Sequence, residues 1–344
     1  MSNIVIVGAG VVGQATGKGF AKQGHQITYV DVDPKKIQQL NAQGLQAMTA
    51  AEVDWDEQEI VMLTVSTPTI QERLILDHLK AATYNVGKGL ATTDKYITVV
   101  VRSTVPPTTT EKMLTPILEE ASGKRAGVDF GVAFNPEFLR QRTSEQDFDR
   151  PWITVLGTTD RATSDILNNL YIPFGGLIVN CRPSEAEMVK YVNNVYNAVK
   201  ISYFNEVHQI CEQLGIDSRL VGAVVARSAE SMWNPLYGTR GGVPYGGACL
   251  PKDTLAFMEF CRNQGWEHEM LAATIRVNEK LEGKIPAVES PEEIDQLLKM
   301  HRQVQQPSLP AAAYILAAQS ANGSNTNGHH THHFADALVA NAAD

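Results

Sequence analysis

The stretch Gly8-Ala9-Gly10-Val11-Val12-Gly13 directly follows the apolar run Ile4–Val7 and precedes a helix-like segment, an order that leaves few folds open. Each glycine has its own physical reason. Gly8 permits a tight turn, Gly10 lets the backbone approach a pyrophosphate, and Gly13 allows helix and strand to pack closely. The first amides of the helix, at Val11 and Val12, then face the anion. Asp31 ends the next apolar run, where a carboxylate accepts hydrogen bonds from ribose hydroxyls and repels a 2′-phosphate, so NAD is expected over NADP. Lys36 either neutralises a cofactor phosphate or lies in solvent on a helix.

The runs Ile4–Val7, Ile27–Val30, Ile60–Val65, Tyr96–Val101, Gly131–Phe134, Ile153–Leu156 and Leu177–Val179 alternate with helix-like segments. They are near-continuously apolar, as strands buried on both faces are, and strand-helix alternation argues for an α/β fold with a parallel sheet covered on both sides. After Asn180 the pattern changes. Ser184 and Glu187 have the spacing of a capping box, and Met188, Val192, Val195, Val199, Tyr203, Val207, Ile210 and Leu214 recur at helical steps up to Gly215. Further helices are expected to about Leu281. The chain is thus expected to hold a doubly wound, Rossmann-type cofactor domain over 1–182, an all-helical central domain over 183–282, and a tail over 283–344 that is partly disordered, chiefly in its last thirty or so residues.

A net charge of −9, from 38 acidic and 29 basic residues without a basic patch, argues against a nucleic-acid partner. The first apolar run is broken at once by glycine, so neither a signal peptide nor a membrane span is expected. Cys181, Cys211, Cys249 and Cys261 lie far apart, which reads as reduced thiols in a cytoplasmic protein. The cluster His329, His330, His332 and His333 has no framework to fix a metal's geometry, and no metal is expected.

Three places have the residues for chemistry. In Tyr245-Gly246-Gly247-Ala248-Cys249-Leu250-Pro251-Lys252-Asp253, paired glycines clear space beside Cys249, while Lys252 and a helix start near Asp253 supply the positive potential that favours a thiolate. On the long helix, Lys190, Asn194 and Asn197 form a polar stripe at i, i+4 and i+7, which a solvated helix face would also produce. Thr104, within Arg102–Pro106, and Glu137, within Asn135–Arg140, follow strands at the edge where open parallel sheets bind ligands.

With these residues in hand, the chain resembles the UDP-glucose/GDP-mannose 6-dehydrogenase family. The resemblance rests on Gly8–Gly13 with Asp31, Val65–Thr69, Ser103–Pro106, Asn135–Arg140, Glu187–Lys190 with Asn194, and Gly246–Asp253, in family order over residues 1 to about 280. It implies oxidation of the primary alcohol of a nucleotide sugar to the acid by NAD, with Cys249 passing through a thiohemiacetal and a thioester. Lys190 and Asn194 then stabilise an oxyanion, Asp253 and Thr104 position water or assist proton transfer, and Glu137 lies beside the thioester. Thr67, Thr104, Glu137 and Lys252 join the cofactor set. Substrate contacts fall to Glu137, Phe138, Leu139, Arg140, Lys190, Asn194, Tyr245 and Gly246. A homodimer through the helix starting near Ser184 is also implied.

Several positions depart from the family pattern. Gln141 stands where a second glutamate is usual, Ile70-Gln71-Glu72-Arg73 replaces an acidic segment, and Arg227 and Arg240 both compete for the place of an arginine that reaches the partner subunit. The strand pattern of a third, nucleotide-gripping domain is not found after Leu281, so a separate chain supplying it is one expectation. Two rival readings stay open at this point. One is a 3-hydroxyacid or 6-phosphogluconate type of dehydrogenase, which needs no cysteine; the other is a non-catalytic NAD-binding derivative.

Overall fold

Aliphatic and β-branched runs become the strands of one central sheet in a computed structural model that describes residues 1–70, 73–139, 143–228, 238, 241–247, 249–266 and 268–282. The strands are β1 (Asn3–Val7), β2 (Gln26–Val30), β3 (Gln46–Met48), β4 (Ile60–Leu63), the short pair β5 (Thr69–Ile70) and β6 (Arg73–Leu74), β7 (Thr98–Val101), β8 (Gly131–Phe134), β9 (Ile153–Thr158) and β10 (Leu177–Cys181). Helices α1 (Val11–Lys22), α2 (Pro34–Ala42), α3 (Asp77–Leu90), α4 (Thr115–Ser122), α5 (Ser144–Asp149), α6 (Arg161–Tyr171) and α7 (Pro183–Leu214) connect or follow them. Then come α8 (Ser218–Val225), α9 (Leu250–Asn263) and α10 (Glu269–Glu282). The chain divides into two compact units between Val195 and Tyr196.

The eight-stranded sheet has the order β10-β9-β8-β7-β4-β1-β2-β3, with β5 and β6 in a separate hairpin. Alternate side chains of each strand enter two different cores. Val5, Val61, Val99 and Val132 pack with Leu79, Val86 and Leu118 on one face. Ile4, Ile6, Met62, Val100 and Leu156 pack with Phe20, Leu40 and Leu167 on the other. Both faces are covered, as the unbroken apolar runs require.

One pairing departs from the all-parallel expectation: β9 runs antiparallel to β8, with Phe134 opposite Gly157, while β10 runs parallel to β9. A parallel return needs a crossover, usually a helix, on the sheet face. Among its described residues, the segment joining β8 to β9 holds one helix, the six-residue α5, tied to α1 by Lys18–Glu145 and Lys22–Asp149 at 2.7 and 2.5 Å. Strand β3 was not anticipated because Gln46-Ala47-Met48 contains no β-branched residue.

Helix α1 is glycine-rich because aromatic rings occupy the space its side chains would fill. A Cβ on Gly17 would lie 2.3 Å from the Tyr29 hydroxyl, and one on Gly19 would lie 2.0 Å from the Phe148 ring. Phe20 meets Phe148, Tyr171 and Phe174 edge to face, at centroid distances of 5.2, 5.5 and 5.6 Å.

The capping box expected at Ser184 and Glu187 is shifted. The helix already begins at Pro183, and Glu185 accepts the Arg182 amide at 2.8 Å, which leaves Glu187 to turn inward. Along α7 the apolar stripe Met188, Val192, Val195, Val199, Tyr203 and Leu214 is exposed, whereas Ile210 is buried. The helix stops at Leu214, before Gly215 with φ of 67°. In the second unit Glu206 accepts the Met270 amide at 2.8 Å, and Cys211, Met258 and Cys261 are buried. Among the described residues no helix is long and apolar enough to cross a membrane.

The glycine packing gives a test in which two effects oppose. Gly to Ala on an exposed helix face gains about 1 kcal/mol from propensity, whereas forcing a methyl into a filled site costs about 1–3 kcal/mol or more. Gly19→Ala should therefore lower the free energy of unfolding by about 2 kcal/mol in urea titrations. An unchanged or raised midpoint would mean that the Phe148 ring moves aside freely.

Candidate active site

The strand order reverses direction between β1 and β4, so their carboxyl ends diverge into a crevice, the place where open α/β sheets take ligands. A cleft of about 1180 Å³ opens there, lined by Gly8, Gly10, Val11, Val12, Asp31, Lys36, Thr67, Ser103, Thr104 and Glu137 among others. Gly8 has φ of 97°, and a Cβ on Gly13 would sit 2.1 Å from the Gly8 carbonyl oxygen, so both glycines are required by geometry. A Cβ on Gly10 meets nothing, which leaves the backbone there bare toward a ligand. Asp31 accepts the Ala9 amide at 2.9 Å and the Asp33 amide at 3.0 Å, with Lys36 Nζ 3.5 Å from its Oδ2. The glycine turn, the amides of α1 and a carboxylate held at the end of β2 fit a dinucleotide.

Hydroxyl groups lace the neighbouring strand ends together. Thr64 donates to the Gly8 carbonyl at 2.7 Å, Ser103 to Val65 at 2.6 Å, and Thr67 to Thr104 at 2.8 Å. The ends of β1, β4 and β7 are thereby held in one arrangement.

A second layer of contacts comes from α7. Lys190, only 5% exposed, donates to the Glu137 carboxylate at 2.8 Å and to the Glu137 carbonyl, and its ammonium lies 5.7 Å from the Phe138 ring centre. The second Glu137 oxygen accepts the Leu139 amide at 2.7 Å. Lys190 is thus a buried ion-pair partner, and the solvated-face reading fails for it. Asn194 is exposed and accepts from Asn193 at 3.2 Å. One turn before Lys190, fully buried Glu187 accepts the Thr108 amide at 2.5 Å and the Thr110 amide at 2.7 Å. Burial pushes the Glu187 carboxyl above its ordinary value, against the pull of those amides. Thr108 has φ of 76°, a conformation costing a β-branched residue about 1–3 kcal/mol.

On the other face of the sheet, buried Arg102 donates to Asn135 and, at 2.8 Å, to the Tyr171 hydroxyl. Tyr171 in turn donates to Asn135 at 2.6 Å, and Asn135 donates to the Val155 carbonyl at 2.8 Å. No carboxylate pairs with Arg102 among the described residues, and its Nε has no hydrogen-bond partner. The Phe148 ring lies 5.5 Å from the guanidinium carbon. This group borders both the cofactor cleft and a smaller cavity of about 330 Å³ lined by Phe138, Leu139 and Thr154.

The remaining predicted residues lie in the second unit. Cys249 is exposed and precedes α9, its carbonyl accepting the Asp253 amide at 2.8 Å. Lys252 pairs with Asp253 at 2.6 Å, both exposed. Tyr245 is pinned through its backbone by Asn278, whose amide accepts at 2.7 Å and donates at 3.2 Å, and Gly246 follows in an open loop. Arg140, Gln141, Ala248, Arg240 and the histidine tail lie outside the described residues. Thr64, Arg102, Tyr171 and Glu187 were not singled out from sequence as site-shaping residues. Arg102 did carry a signal, as a lone cation directly after four buried strand residues.

Fold and cleft together define a dinucleotide-binding protein of the doubly wound α/β class. Models of two families of domain match the chain: the NAD binding domain of the UDP-glucose/GDP-mannose dehydrogenase family over residues 2–49 and 42–175, and the central domain of that family over 184–280. The chain is 36% identical to a GDP-mannose 6-dehydrogenase of Pseudomonas putida over 80% of its own length and 68% of that protein's. It is also 36% identical to the UDP-glucose 6-dehydrogenase AglM of Haloferax volcanii, over 80% and 69% of the two chains. A ternary complex of GDP-mannose dehydrogenase from Pseudomonas aeruginosa superimposes with a TM-score of 0.74 at 33% identity, covering 81% of this chain and 68% of that one. The chain belongs to the UDP-glucose/GDP-mannose dehydrogenase family and is an NAD-dependent oxidoreductase acting on a CH–OH group. Membership in that family sets aside the 3-hydroxyacid and 6-phosphogluconate alternative.

The buried network around Arg102 supplies a measurable consequence. Tyr171→Phe keeps the ring but removes a hydroxyl that both accepts from the guanidinium and donates to Asn135. The loss should be about 1–2 kcal/mol of stability, read by urea unfolding. A midpoint equal to the parent's would show that the hydroxyl contributes nothing there.

Proposed function

We propose that this protein oxidises the primary alcohol of a nucleotide sugar, of the UDP-glucose or GDP-mannose kind, to the uronic acid. The observation that carries the proposal is Glu137, which borders the cofactor cleft and is also the ion-pair partner of buried Lys190. A cation held under a carboxylate at the lip of a dinucleotide cleft suits a substrate oxygen that gains negative charge. The names of the relatives, GDP-mannose 6-dehydrogenase and UDP-glucose 6-dehydrogenase, support the substrate class.

NAD, when bound, supplies the two-electron acceptor for both oxidations. Asp31 holds the adenosine ribose hydroxyls, while the Gly10, Val11, Val12 and Gly13 backbone and Lys36 face the pyrophosphate. Thr67 and Lys252 complete the cofactor contacts. The primary alcohol gives up a hydride from carbon and its hydroxyl proton to become an aldehyde; the Cys249 thiolate adds to the aldehyde carbon to give a thiohemiacetal, loss of a second hydride from that carbon leaves a thioester, and water cleaves it to the carboxylate and the free thiol. Lys190 and Asn194 stabilise the oxyanion, Thr104 and Asp253 order the attacking water, and Glu137 sits beside the thioester. Phe138, Leu139, Arg140, Tyr245 and Gly246 contact the substrate. The exposed apolar stripe of α7 is covered by the same helix of a second copy.

NADH absorbance with matched UDP- and GDP-sugars tests the activity. The parent should form two NADH for each sugar oxidised to the acid, and Cys249→Ser should lose acid production while binding NAD normally. Two NADH per sugar from the serine variant would exclude the covalent route. No NADH with any sugar nucleotide would return the protein to a non-catalytic, NAD-binding role.

Cofactor choice follows from charge. Two unit charges 4 Å apart repel by about 1–4 kcal/mol in and near water, or roughly fivefold and more in binding. NAD should therefore be preferred over NADP by at least about that factor, and Asp31→Ala should narrow the gap. Equal rates with both cofactors in the parent would remove Asp31 from this role.

A further inference from the structure

Glu187 and Lys190 are three residues apart on α7, opposite in charge and both buried, yet they do not pair with each other. Lys190 reaches the loop after β8 through Glu137, and Glu187 reaches the loop after β7 through the amides of Thr108 and Thr110. That second loop begins with Ser103 and Thr104, which line the cofactor cleft. Each Glu187 oxygen accepts one amide, at 2.5 and 2.7 Å, and Thr108 is the one residue other than glycine with positive φ among the described residues. A threonine is kept in that conformation only where its surroundings over-determine it, and the two bonds to Glu187 do so here.

We propose that Glu187 is a positioning residue for the oxidation: it holds the Thr104 loop at a fixed distance from the helix turn that carries Lys190. This rests on the reading of Thr104 and Lys190 given above. A carboxylate is the suitable group, because an ionised carboxyl is acceptor-only and can serve both amides at once. A glutamine in its place has one acceptor oxygen, so one buried amide would face an NH₂ group. The loop would then shift by a fraction of an ångström to an ångström, a displacement that costs on the order of 100-fold in rate when it separates reacting groups. Most ground-state contacts to NAD come from the β1 and β2 ends and would stay, while those of Thr104, and of Thr67 bonded to it, would shift slightly with the loop.

The experiment compares the parent, Glu187→Gln, Glu187→Ala and Leu167→Ala in the whole protein. Leu167 is buried on the opposite sheet face and serves as a control for lost stability without a lost clamp. Three readouts are taken: kcat and KM for NAD and for the sugar nucleotide, the kinetic isotope effect with substrate deuterated at the reacting carbon, and hydrogen exchange of the Thr108 and Thr110 amides. Glu187→Gln should lose about tenfold in kcat, equivalent to one weakened hydrogen bond, and Glu187→Ala about 100-fold. Both KM values should stay within about threefold, the isotope effect should rise as hydride transfer becomes limiting, and exchange at the two amides should quicken about tenfold or more. Leu167→Ala should melt lower with kcat and isotope effect unchanged.

The proposal is overturned by Glu187 variants with parental kcat, by equal losses in Leu167→Ala, or by unchanged amide exchange. If Glu187→Ala does not fold, Glu187→Gln decides against the same control. A parent that turns over no sugar nucleotide while its two amides remain protected overturns the reading of the site itself. An active parent with indifferent Glu187 variants overturns only the role of Glu187.

Discussion

A sheet buried on both faces ends all its hydrogen-bond ladders at once, and the groups left over at the carboxyl edge must be satisfied without losing access to a ligand. Here the solution is a set of short hydroxyl side chains. Thr67 donates to one carbonyl of a neighbouring loop, while Thr64 and Ser103 each lie within reach of two, with Gly8 and Val65 the nearer acceptors. Such bonds are worth about 1 kcal/mol apiece, but leaving those carbonyls unpaired in a dry crevice would cost more. The hydroxyls also occupy little volume, so the crevice stays open. The relative placement of the β1, β4 and β7 ends depends on this lacing.

The two buried cations among the described residues of the first unit are handled differently. Lys190 has a carboxylate partner, and the ion pair fixes its ammonium beside the cleft. Arg102 has dipoles and a ring face instead: the Asn135 carbonyl oxygen, the Tyr171 oxygen and the Phe148 ring. Partial charges of this kind stabilise a guanidinium without removing its net charge, so positive potential persists between the two cavities that Arg102 borders. The distinction matters for a cleft meant to take phosphates.

Much of this was legible in the chain itself. The glycine spacing required a turn with one positive φ and one close approach, and Gly8 and Gly13 have those geometries. Seven strands followed from apolar runs because burial on both faces demands such runs. What sequence could not give was direction and partnership. Nothing in Ile153–Leu156 says that its strand runs opposite to Gly131–Phe134, since both are equally apolar. Ser184 and Glu187 had capping spacing, yet spacing does not reveal that a glutamate is needed more urgently by two amides some 80 residues earlier in the chain. Lys190 likewise looked like part of a polar stripe, because a one-dimensional pattern cannot show a Glu137 arriving from another strand.

The glycines of α1 bear on the order in which the protein assembles. A twelve-residue helix with three glycines has little tendency to form alone, since each costs about 1 kcal/mol relative to alanine and short helices are marginal even without them. Its stability comes from Tyr29 and from Phe148, Tyr171 and Phe174 around Phe20. Those rings lie up to about 150 residues downstream. On a ribosome, the anion-binding helix therefore emerges first and consolidates late, after the strands and helices that bear its aromatic partners have been synthesised. The cofactor cleft consequently forms late, and the nascent chain has no means of holding a dinucleotide until the segment through Phe174 has been made.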